Sequence, residues 1–231
     1  MTAERPAGWV PSPTGPAWAR WVGRFFGRVV WDAHVVGKER VPAAGPVVLA
    51  ANHVTLIDGP ILIGVAPRPL HIITKQELFH GPVGTILTWA GQIPVDRASG
   101  RAALQSGLGV LRRGGAIGIF PEGNRGRGTV EGVRAGAAWL GVHGDAAVVP
   151  VAILGTRLTG ESLGHIPGLR RRLYVEFGDP IPPAGAGPAR ERIGATSERL
   201  RDAMVALVDA AQARSGLALP ADDPRHPDPA A

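Results

Sequence analysis

Short apolar runs alternate with amphipathic stretches along most of the chain, and this alternation constrains the fold more than any other sequence feature. Seven apolar runs predict strands, at residues 33–36, 46–50, 71–74, 92–95, 116–120, 148–153 and 173–177. Six stretches predict helices, at residues 17–30, 59–65, 82–89, 101–112, 130–142 and 189–213. Strands that alternate with helices favour an α/β fold with a mostly parallel central sheet flanked by helices. Ligands of such sheets bind at the carboxyl ends of strands, so residues that directly follow the strands are the candidates for chemistry.

The two ends of the chain differ in composition from its middle. Proline is frequent in residues 1–16 and again from about Pro220 onward, which predicts disorder at both ends. We therefore divide the chain into three parts. Residues 1–32 are a disordered start followed by an amphipathic helix, residues 33–215 are the main domain, and residues 216–231 are a disordered tail.

The charge of the chain indicates an anionic partner. The net charge is +6 and the pI is near 11.0, values that suit membrane lipid, a phosphorylated substrate or nucleic acid. No nucleic-acid-binding motif accompanies this charge, so we expect no nucleic-acid partner. Cysteine is absent, which excludes disulfides and a cysteine nucleophile. No apolar run reaches the roughly 18 residues of a membrane-spanning helix, and the start lacks a secretory-signal pattern; we expect a cytoplasmic protein, soluble or peripheral.

The segment 17–31 combines an aromatic face with a row of arginines. Its large apolar residues recur at steps of three and four: Trp18, Trp21, Val22, Phe25, Phe26, Val29 and Val30. Arg20, Arg24 and Arg28 recur at steps of four on another face. This pattern favours a helix at the surface of an anionic membrane, where each arginine contributes about 1 kcal/mol. The alternative is an ordinary helix whose aromatic face packs on the domain core.

The segment 52–58 lies between a predicted strand and a predicted helix. Asp58 is followed by Gly59 and Pro60, which predicts that Asp58 is the N-cap of the helix and leaves His53 in the loop. Across a loop, a carboxylate folds back to the imidazole, fixes its tautomer and stabilises the imidazolium. The other imidazole nitrogen is then available to take a proton from an alcohol. By spacing alone, a plain turn histidine beside a capping aspartate is the more frequent situation. No metal site is predicted, because neither a second histidine nor an acidic cluster lies nearby.

A glycine-rich segment, residues 120–128, directly follows another predicted strand. Its glycines permit tight turns and a close approach of a ligand. Arg125 and Arg127 offer guanidinium groups to a phosphate, and Glu122 is suited to orient a substrate hydroxyl or to hold one of these arginines. The helix predicted to follow would add the positive end of its dipole. A solvated basic loop is an equally good interpretation of this segment alone. Lys75, which follows a further strand, is expected at the mouth of the same groove.

Together these segments resemble the glycerolipid acyltransferase family typified by 1-acyl-sn-glycerol-3-phosphate acyltransferases. Four blocks of that family occur in the family's order, at residues 52–58, 91–97, 120–125 and 148–151. The resemblance implies an O-acyltransferase that joins an acyl chain from acyl-CoA or acyl-carrier protein to a free hydroxyl. It also implies that the reaction proceeds without a covalent acyl-enzyme, a metal or another cofactor.

The resemblance assigns roles to individual residues. His53 is expected to be the general base and Asp58 its partner. The phosphorylated acceptor is expected to contact Arg97, Glu122, Gly123 and Arg125. Pro150 is expected to shape a substrate pocket, and Asn52 and Lys75 complete the predicted substrate-binding set. Gly126 stands where the family commonly has serine or threonine, and Arg127 after it is expected to add a phosphate contact.

The reaction expected from the resemblance is acylation of the sn-2 hydroxyl of 1-acyl-glycerol-3-phosphate, which gives phosphatidic acid for phospholipid synthesis. The expected location is the cytoplasmic face of the cell membrane, where the protein would be peripheral. Alternative acceptors are another lysolipid or glycerol-3-phosphate. An alternative of another class is a non-catalytic peripheral lipid-binding protein, although such a protein does not need the pair of His53 and Asp58. A hydrolase is disfavoured because no clustered metal site is predicted and the Gly-x-Ser-x-Gly run at residues 160–164 does not lead into a predicted helix, as a nucleophile elbow would.

Overall fold

The computed structural model describes residues 9–96, 100–130 and 132–225. Its strands form one sheet: β1 (Asp32–Val36), β2 (Val47–Ala51), β3 (Leu70–Lys75), β4 (Ile93–Val95), β5 (Ala116–Ile119), β6 (Ala147–Leu154) and β7 (Arg172–Phe177). Their order across the sheet is β1-β7-β6-β2-β5-β3-β4. Neighbouring strands are parallel except for β6 and β7, so β1 and β7 run against the other five. The prediction of a mostly parallel sheet is confirmed.

Helices cover both faces of this sheet. They are α1 (Gly15–Phe25), which continues into a π-helical turn (Phe26–Val30), α2 (Asp58–Val65), α3 (Gly81–Trp89), α4 (Arg101–Arg112), α5 (Gly136–Gly144) and α6 (Ala189–Ser215). Short 3₁₀ turns occupy Lys38–Arg40 and Gln76–Leu78. One core lies between the sheet and helices α1 and α2, and a second lies between the sheet and helices α4, α5 and α6. Side chains alternate between these cores along β2, as strand geometry requires: Leu49 joins the first and Ala50 the second.

One helix begins six residues later in the structure than the sequence pattern predicts. The sequence pattern predicts a helix over residues 130–142, but α5 begins at Gly136. Val130 is fully buried with a positive φ of 60°, and the backbone N–H of Arg134 donates to Pro121 O over 2.9 Å. These residues therefore close the loop that follows β5 instead of forming a helical turn. That loop runs from residue 120 to residue 135 and is longer than the sequence pattern predicts.

Helix α1 buries its small residues and exposes its large ones. Ala19 and Gly23 face the domain, and a Cβ added to Gly23 would lie 2.7 Å from the Cα of Gly64 in α2. In contrast, Trp21 is 69% exposed and Phe25 is 55% exposed. The alternative in which the aromatic face packs on the core is therefore wrong. Because Ala19 belongs to the first core, α1 is an integral part of the fold, and the predicted boundary at residue 32 marks a change of sequence pattern and not of packing.

Both ends of the chain pack on the domain where the structure describes them. Arg113 donates to Pro11 O over 2.7 Å, and the fully buried Arg157 forms an ion pair with Asp222 at 3.0 Å. The composition predicts disorder in these stretches, and for residues 9–16 and 216–225 this prediction is wrong, because arginines of the domain bind their carbonyl and carboxylate oxygens. Residues 1–8 and 226–231 lie outside the described residues. Among the described helices, none has the length and apolarity needed to cross a bilayer.

A buried histidine links three separate segments. The Nδ1 of His71 hydrogen-bonds Gly91 O at 2.6 Å, so Nδ1 carries the proton, and Nε2 accepts from Arg113 at 2.9 Å. Arg113 in turn holds Pro11. This arrangement requires a neutral imidazole, because a proton on Nε2 would face the guanidinium. Burial outweighs the bond to Gly91, which raises the pKa, and together with the charge of Arg113 it lowers the pKa of His71 to about 4.

We predict that the neutral state of His71 makes the fold sensitive to mild acid. Since the folded pKa is depressed, the unfolded chain binds the proton first, and the contribution to stability is fully present above pH 6.5 and is lost as the pH falls toward 4. The free energy of unfolding should fall by about 2 kcal/mol between pH 7 and pH 5 from this group. Urea unfolding at several pH values measures the effect. The variant His71→Gln, which does not titrate, should show a flatter pH profile, and profiles of equal slope would contradict the prediction.

Candidate active site

Three loops meet at the carboxyl ends of β5, β2 and β6, which are adjacent parallel strands. The loop after β2 carries His53 and leads into Asp58, the first residue of α2. The loop after β5 carries Glu122, and Thr156 lies two residues beyond the end of β6. Residues that directly follow these strands therefore lie together at one edge of the sheet, which makes this edge the candidate site.

Four donors converge on the fully buried carboxylate of Asp58. Its Oδ2 accepts the backbone N–H groups of Val54 and Thr55 at 2.7 and 2.9 Å and the Nδ1 of His53 at 2.8 Å. Its Oδ1 accepts the hydroxyl of Thr156 at 2.6 Å. Four donors suit an ionised carboxylate, which only accepts. The N-cap position of α2 belongs to Ile57, so the prediction that Asp58 caps its own helix is wrong: its side chain turns back and orders the preceding loop.

The loop after β5 fixes His53 through its backbone and its ring. The backbone N–H of His53 donates to Glu122 Oε1 at 2.9 Å, and its carbonyl accepts from Gly126 N at 3.0 Å. Its ring stacks on Phe120 with centroids 4.1 Å apart. The side chain is 15% exposed, and its Nε2 has no hydrogen-bond partner among the described residues. The geometry thus presents one imidazole nitrogen to solvent and binds the other to a carboxylate.

Glu122 and Gly123 belong to the scaffold of the site. Glu122 holds the amide of His53, a role that the sequence did not predict. Gly123 has a positive φ of 71°, and a Cβ there would lie 2.7 Å from the guanidinium of Arg134. Glycine is therefore required both by the backbone and by the arginine that packs on it. Arg134 adds a cation to this loop that sequence reasoning missed, because the segment around it was predicted to be helical.

Asn52 is a structural residue of the site. It is fully buried, its amide nitrogen donates to Ile153 O at 3.0 Å, and its amide oxygen accepts from Ile153 N at 2.7 Å. Both ends of the side chain are thus used to extend the pairing of β2 with β6 by one residue. The prediction that Asn52 binds substrate is wrong for this physical reason. It instead sets the point where the chain leaves the sheet toward His53.

Cationic side chains surround the loop after β5. Arg125 is half-buried and donates to Leu163 O at 3.2 Å, and Arg127 is exposed. Lys75 ends β3 and donates to Asn124 Oδ1 at 2.8 Å, which brings it to the same loop. The structure therefore places Arg125, Arg127 and Lys75 on one loop system with His53. Arg97, predicted to join them, lies outside the described residues.

Pro150 lies apart from these residues. It is in the interior of β6, where it pairs with Ala50, and it lines a cavity of about 490 Å³ with Arg40, Glu176 and Leu207. None of the residues named above around His53 lines that cavity. The structure thus does not support the prediction that Pro150 contacts the substrate of this site, because a residue within a strand is not at its carboxyl end.

The C-terminal segment 217–225 crosses the outside of the site, and sequence reasoning missed it. Asp222 binds the buried Arg157 through its carboxylate at 3.0 Å and its backbone oxygen at 2.7 Å. Arg157 also donates to Gly126 O at 3.4 Å. A Cβ added to Gly126 would lie 2.6 Å from the guanidinium of Arg225. The position of Thr156 after a strand was a usable signal, but no local pattern connects Arg157 with an aspartate 65 residues later.

Comparisons with known proteins agree with this geometry. A family model described as Acyltransferase matches residues 32–154. A 1-acyl-sn-glycerol-3-phosphate acyltransferase of Bacillus subtilis (strain 168) is 31% identical over 173 residues, which cover 72% of this chain and 83% of that protein. One from Borreliella burgdorferi is 33% identical over 127 residues, 53% of this chain and 51% of that protein. The crystal structure of the 1-acyl-sn-glycerophosphate (LPA) acyltransferase PlsC from Thermotoga maritima superposes with a TM-score of 0.63 at 25% identity and covers 83% of this chain and 79% of that one.

We predict that Thr156 stabilises the fold through the buried carboxylate. The variant Thr156→Val keeps the shape of the side chain but leaves Asp58 Oδ1 without its donor, and loss of a partner to a buried charged group costs about 1–3 kcal/mol. Urea unfolding at neutral pH measures this loss. Thr156→Ser retains the hydroxyl and should remain within about 1 kcal/mol of the wild type. Equal stability of the valine variant and the wild type would contradict the role of this hydrogen bond.

Proposed function

The chain belongs to the acyltransferase family and is an O-acyltransferase, and from this premise we propose that it acylates the sn-2 hydroxyl of 1-acyl-sn-glycerol-3-phosphate. The product would be phosphatidic acid, and the acyl donor would be acyl-CoA or acyl-carrier protein. The observation that carries the proposal is the state of His53, whose Nδ1 is bound to Asp58 while its Nε2 has no partner among the described residues, beside a loop rich in arginine.

The proposed chemistry uses His53 first as a base and then as an acid. Nε2 takes the proton of the acceptor hydroxyl while the oxygen attacks the carbonyl carbon of the donor thioester. The tetrahedral intermediate then collapses, the carbon–sulfur bond breaks, and the imidazolium returns its proton to the leaving thiolate. Asp58 holds the tautomer and stabilises the imidazolium while it exists. No enzyme nucleophile is needed, because the acceptor hydroxyl itself attacks.

The proposed site for the acceptor phosphate is the loop after β5. Arg125 and Arg127 provide guanidinium groups, and Lys75 provides an ammonium that already contacts the loop through Asn124. Guanidinium forks match the geometry of phosphate oxygens. Arg97 remains a proposed further contact. Glu122 acts on the acceptor only indirectly in this proposal, since its carboxylate holds the backbone N–H of His53.

We further propose that the protein binds the cytoplasmic face of the cell membrane as a peripheral protein, through the exposed apolar side of α1. Exposed apolar residues continue this surface on α3 and on the loop 158–169: Val83, Ile86, Trp89, Ile166 and Leu169. Helices α1 and α3 meet where Trp18 Nε1 donates to Trp89 O at 3.2 Å. Aromatic residues and cations at one surface suit a membrane interface.

The loop 158–169 connects this apolar surface to the proposed active site. At one end Trp31 Nε1 donates to Pro167 O at 2.8 Å, next to the end of the π-helical turn. Near the middle of the loop, Leu163 O accepts from Leu56 N at 3.2 Å and from Arg125 at 3.2 Å. A lipid that enters from the membrane therefore finds the arginine loop and His53 beside the same surface. This proximity favours a lysolipid acceptor over the water-soluble glycerol-3-phosphate. The pair of His53 and Asp58 favours an enzyme over a non-catalytic lipid-binding protein, because lipid binding alone does not need such a pair.

We predict that His53→Ala abolishes practical turnover while the protein stays folded. Loss of general base catalysis should lower kcat by about 10²- to 10⁴-fold. The variant should stay folded because Asp58 keeps its three other donors, from Val54, Thr55 and Thr156. Turnover of lysophosphatidic acid with a panel of acyl-CoA and acyl-carrier-protein donors measures the effect and also identifies the donor. His80→Ala, an exposed histidine at the start of α3, serves as the matched control. Turnover of the His53 variant at the wild-type rate would refute the assignment.

We predict that the double variant Trp21→Ser with Phe25→Ser weakens membrane binding. Both rings are exposed in the protein, so the double variant should lose little folding stability. It can no longer insert these aromatic rings into the bilayer, which should weaken vesicle binding by about tenfold or more. Co-sedimentation with vesicles that contain phosphatidylglycerol measures the change. Val205→Ser removes an exposed apolar side chain of α6, on the other side of the sheet, and should have no effect. Unchanged sedimentation of the double variant would contradict the proposed surface.

A further inference from the structure

A small cavity with three cationic side chains opens between α1, the π-helical turn, β1 and α2. Its volume is about 180 Å³, and Arg24, Arg28 and Lys38 line it together with small residues such as Gly27 and Gly64. We call it the cationic cavity. None of the residues placed above around His53 lines it. The cavity is therefore a second place, outside the proposed active site, where the chain concentrates positive charge.

No acidic side chain in the described part of the chain forms an ion pair with the cations of the cationic cavity. No ion pair among the described residues involves Arg24, Arg28 or Lys38. Asp32, the acidic residue closest in sequence to Arg28, lies 4.0 Å from Arg170 instead. Burial and the neighbouring charges of Arg28 and Arg24 lower the pKa of Lys38. Like charges that converge without a counter-charge repel each other, and a bound anion would remove this repulsion.

The backbone around the cavity holds these charges in place. Gly23 and Gly64 fix α1 against α2 at a separation that admits no side chain. One turn before Arg24, the Nε of Arg20 donates to Ala66 O at 2.8 Å, which ties α1 to the end of α2. The cations therefore project from packed elements. Fixed donors lose less conformational entropy on binding than the same residues on a mobile tail.

We propose that Arg24, Arg28 and Lys38 form a binding site for the phosphate group of an anionic lipid. The arginines offer forked donors and the lysine a point charge, the combination that proteins use for phosphate oxygens. This inference rests on the proposed membrane contact and adds to it a defined headgroup site, distinct from the site of the acceptor phosphate. A phosphate bound here would relieve the repulsion among the three cations.

The apolar side of α1 favours a lipid as the source of this phosphate over free phosphate in solution. The guanidinium of Arg24 lies 5.6 Å from the ring centre of Trp21, which is largely exposed. Phe25 follows Arg24 directly and is exposed as well. A lipid phosphate in the cavity therefore has apolar surface beside it for the acyl chains, whereas free phosphate gains nothing from that surface. Aromatic rings at the depth of the headgroups are the usual arrangement at membrane interfaces.

The test compares headgroup selectivity in charge-matched variants of the full chain. One variant carries Arg24→Gln, Arg28→Gln and Lys38→Gln. The control carries Arg101→Gln, Arg112→Gln and Arg190→Gln, three exposed arginines of α4 and α6 on the opposite side of the sheet. The readout is the ratio of the affinities for phosphatidylglycerol vesicles and phosphatidylcholine vesicles, because apolar insertion contributes equally to both. Thermal unfolding checks that each variant is folded, and a second variant, Arg24→Lys with Arg28→Lys, keeps the charge.

The expected result is a selectivity for phosphatidylglycerol that falls at least about 30-fold in the cavity variant and changes by less than about threefold in the control. The lysine variant should retain most of the selectivity. Equal losses in the cavity variant and the control would overturn the site and leave only a general effect of net charge, even if the protein still binds vesicles through α1. A wild type without selectivity would also overturn it. Inorganic phosphate at constant ionic strength should compete only weakly; complete displacement from vesicles by phosphate would assign the site to free phosphate and overturn the lipid source.

Discussion

The buried carboxylate of Asp58 is the interaction on which the site depends. A buried charge is tolerated only when donors satisfy it, and the four donors here come from the loop after β2 and from Thr156 after β6. Satisfying this charge therefore forces the His53 loop into one conformation and joins two neighbouring strand ends. The loop after β5 completes the arrangement through Glu122 and Gly126, which hold the backbone of His53 on both sides. The geometry of His53 is thus a consequence of where one carboxylate forms its hydrogen bonds.

The parallel sheet makes this convergence possible. Strands β5, β2 and β6 are neighbours in the sheet although they are far apart in sequence. Because they are parallel, their carboxyl ends lie on one edge. Each loop leaving that edge contributes one part: the imidazole of His53, the groups that hold its backbone, and the hydroxyl of Thr156 that binds Asp58. Because these strands are buried on both faces, they are nearly continuous apolar runs that offer almost no polar side chains for chemistry. The chemistry is carried by the loops, and the sheet supplies their relative positions.

Apolar periodicity predicted all seven strands, and the helix-start signal at Asp58 predicted the loop across which Asp58 contacts His53, since both signals are local in sequence. It failed where an interaction between distant residues overrides the local pattern. The start of α5 moved because Arg134 bonds Pro121, and Asn52 was given a substrate role because its partner, Ile153, lies about a hundred residues away. The ordered tail is the clearest case: a proline-rich composition predicts disorder, and the buried Arg157 that orders it is not visible in the tail itself. Local sequence predicts the helices and strands, whereas the hydrogen bonds that buried polar groups require determine where the loops and chain ends lie.

Helix α1 buries its small residues and exposes its large apolar ones, the opposite of an ordinary surface helix. The buried Ala19 and Gly23 let α1 pack closely on the domain. The exposed Trp21 and Phe25 leave a large apolar surface uncovered by the protein. In water that exposed area is a cost, which a bilayer interface would remove. The same close packing fixes the axis of α1 on α2, and α2 begins at Asp58. The proposed membrane-facing helix α1 therefore packs directly on the helix that begins at Asp58, the residue that holds His53. Binding of α1 at a membrane would thus also orient the edge of the sheet that carries His53 relative to that membrane.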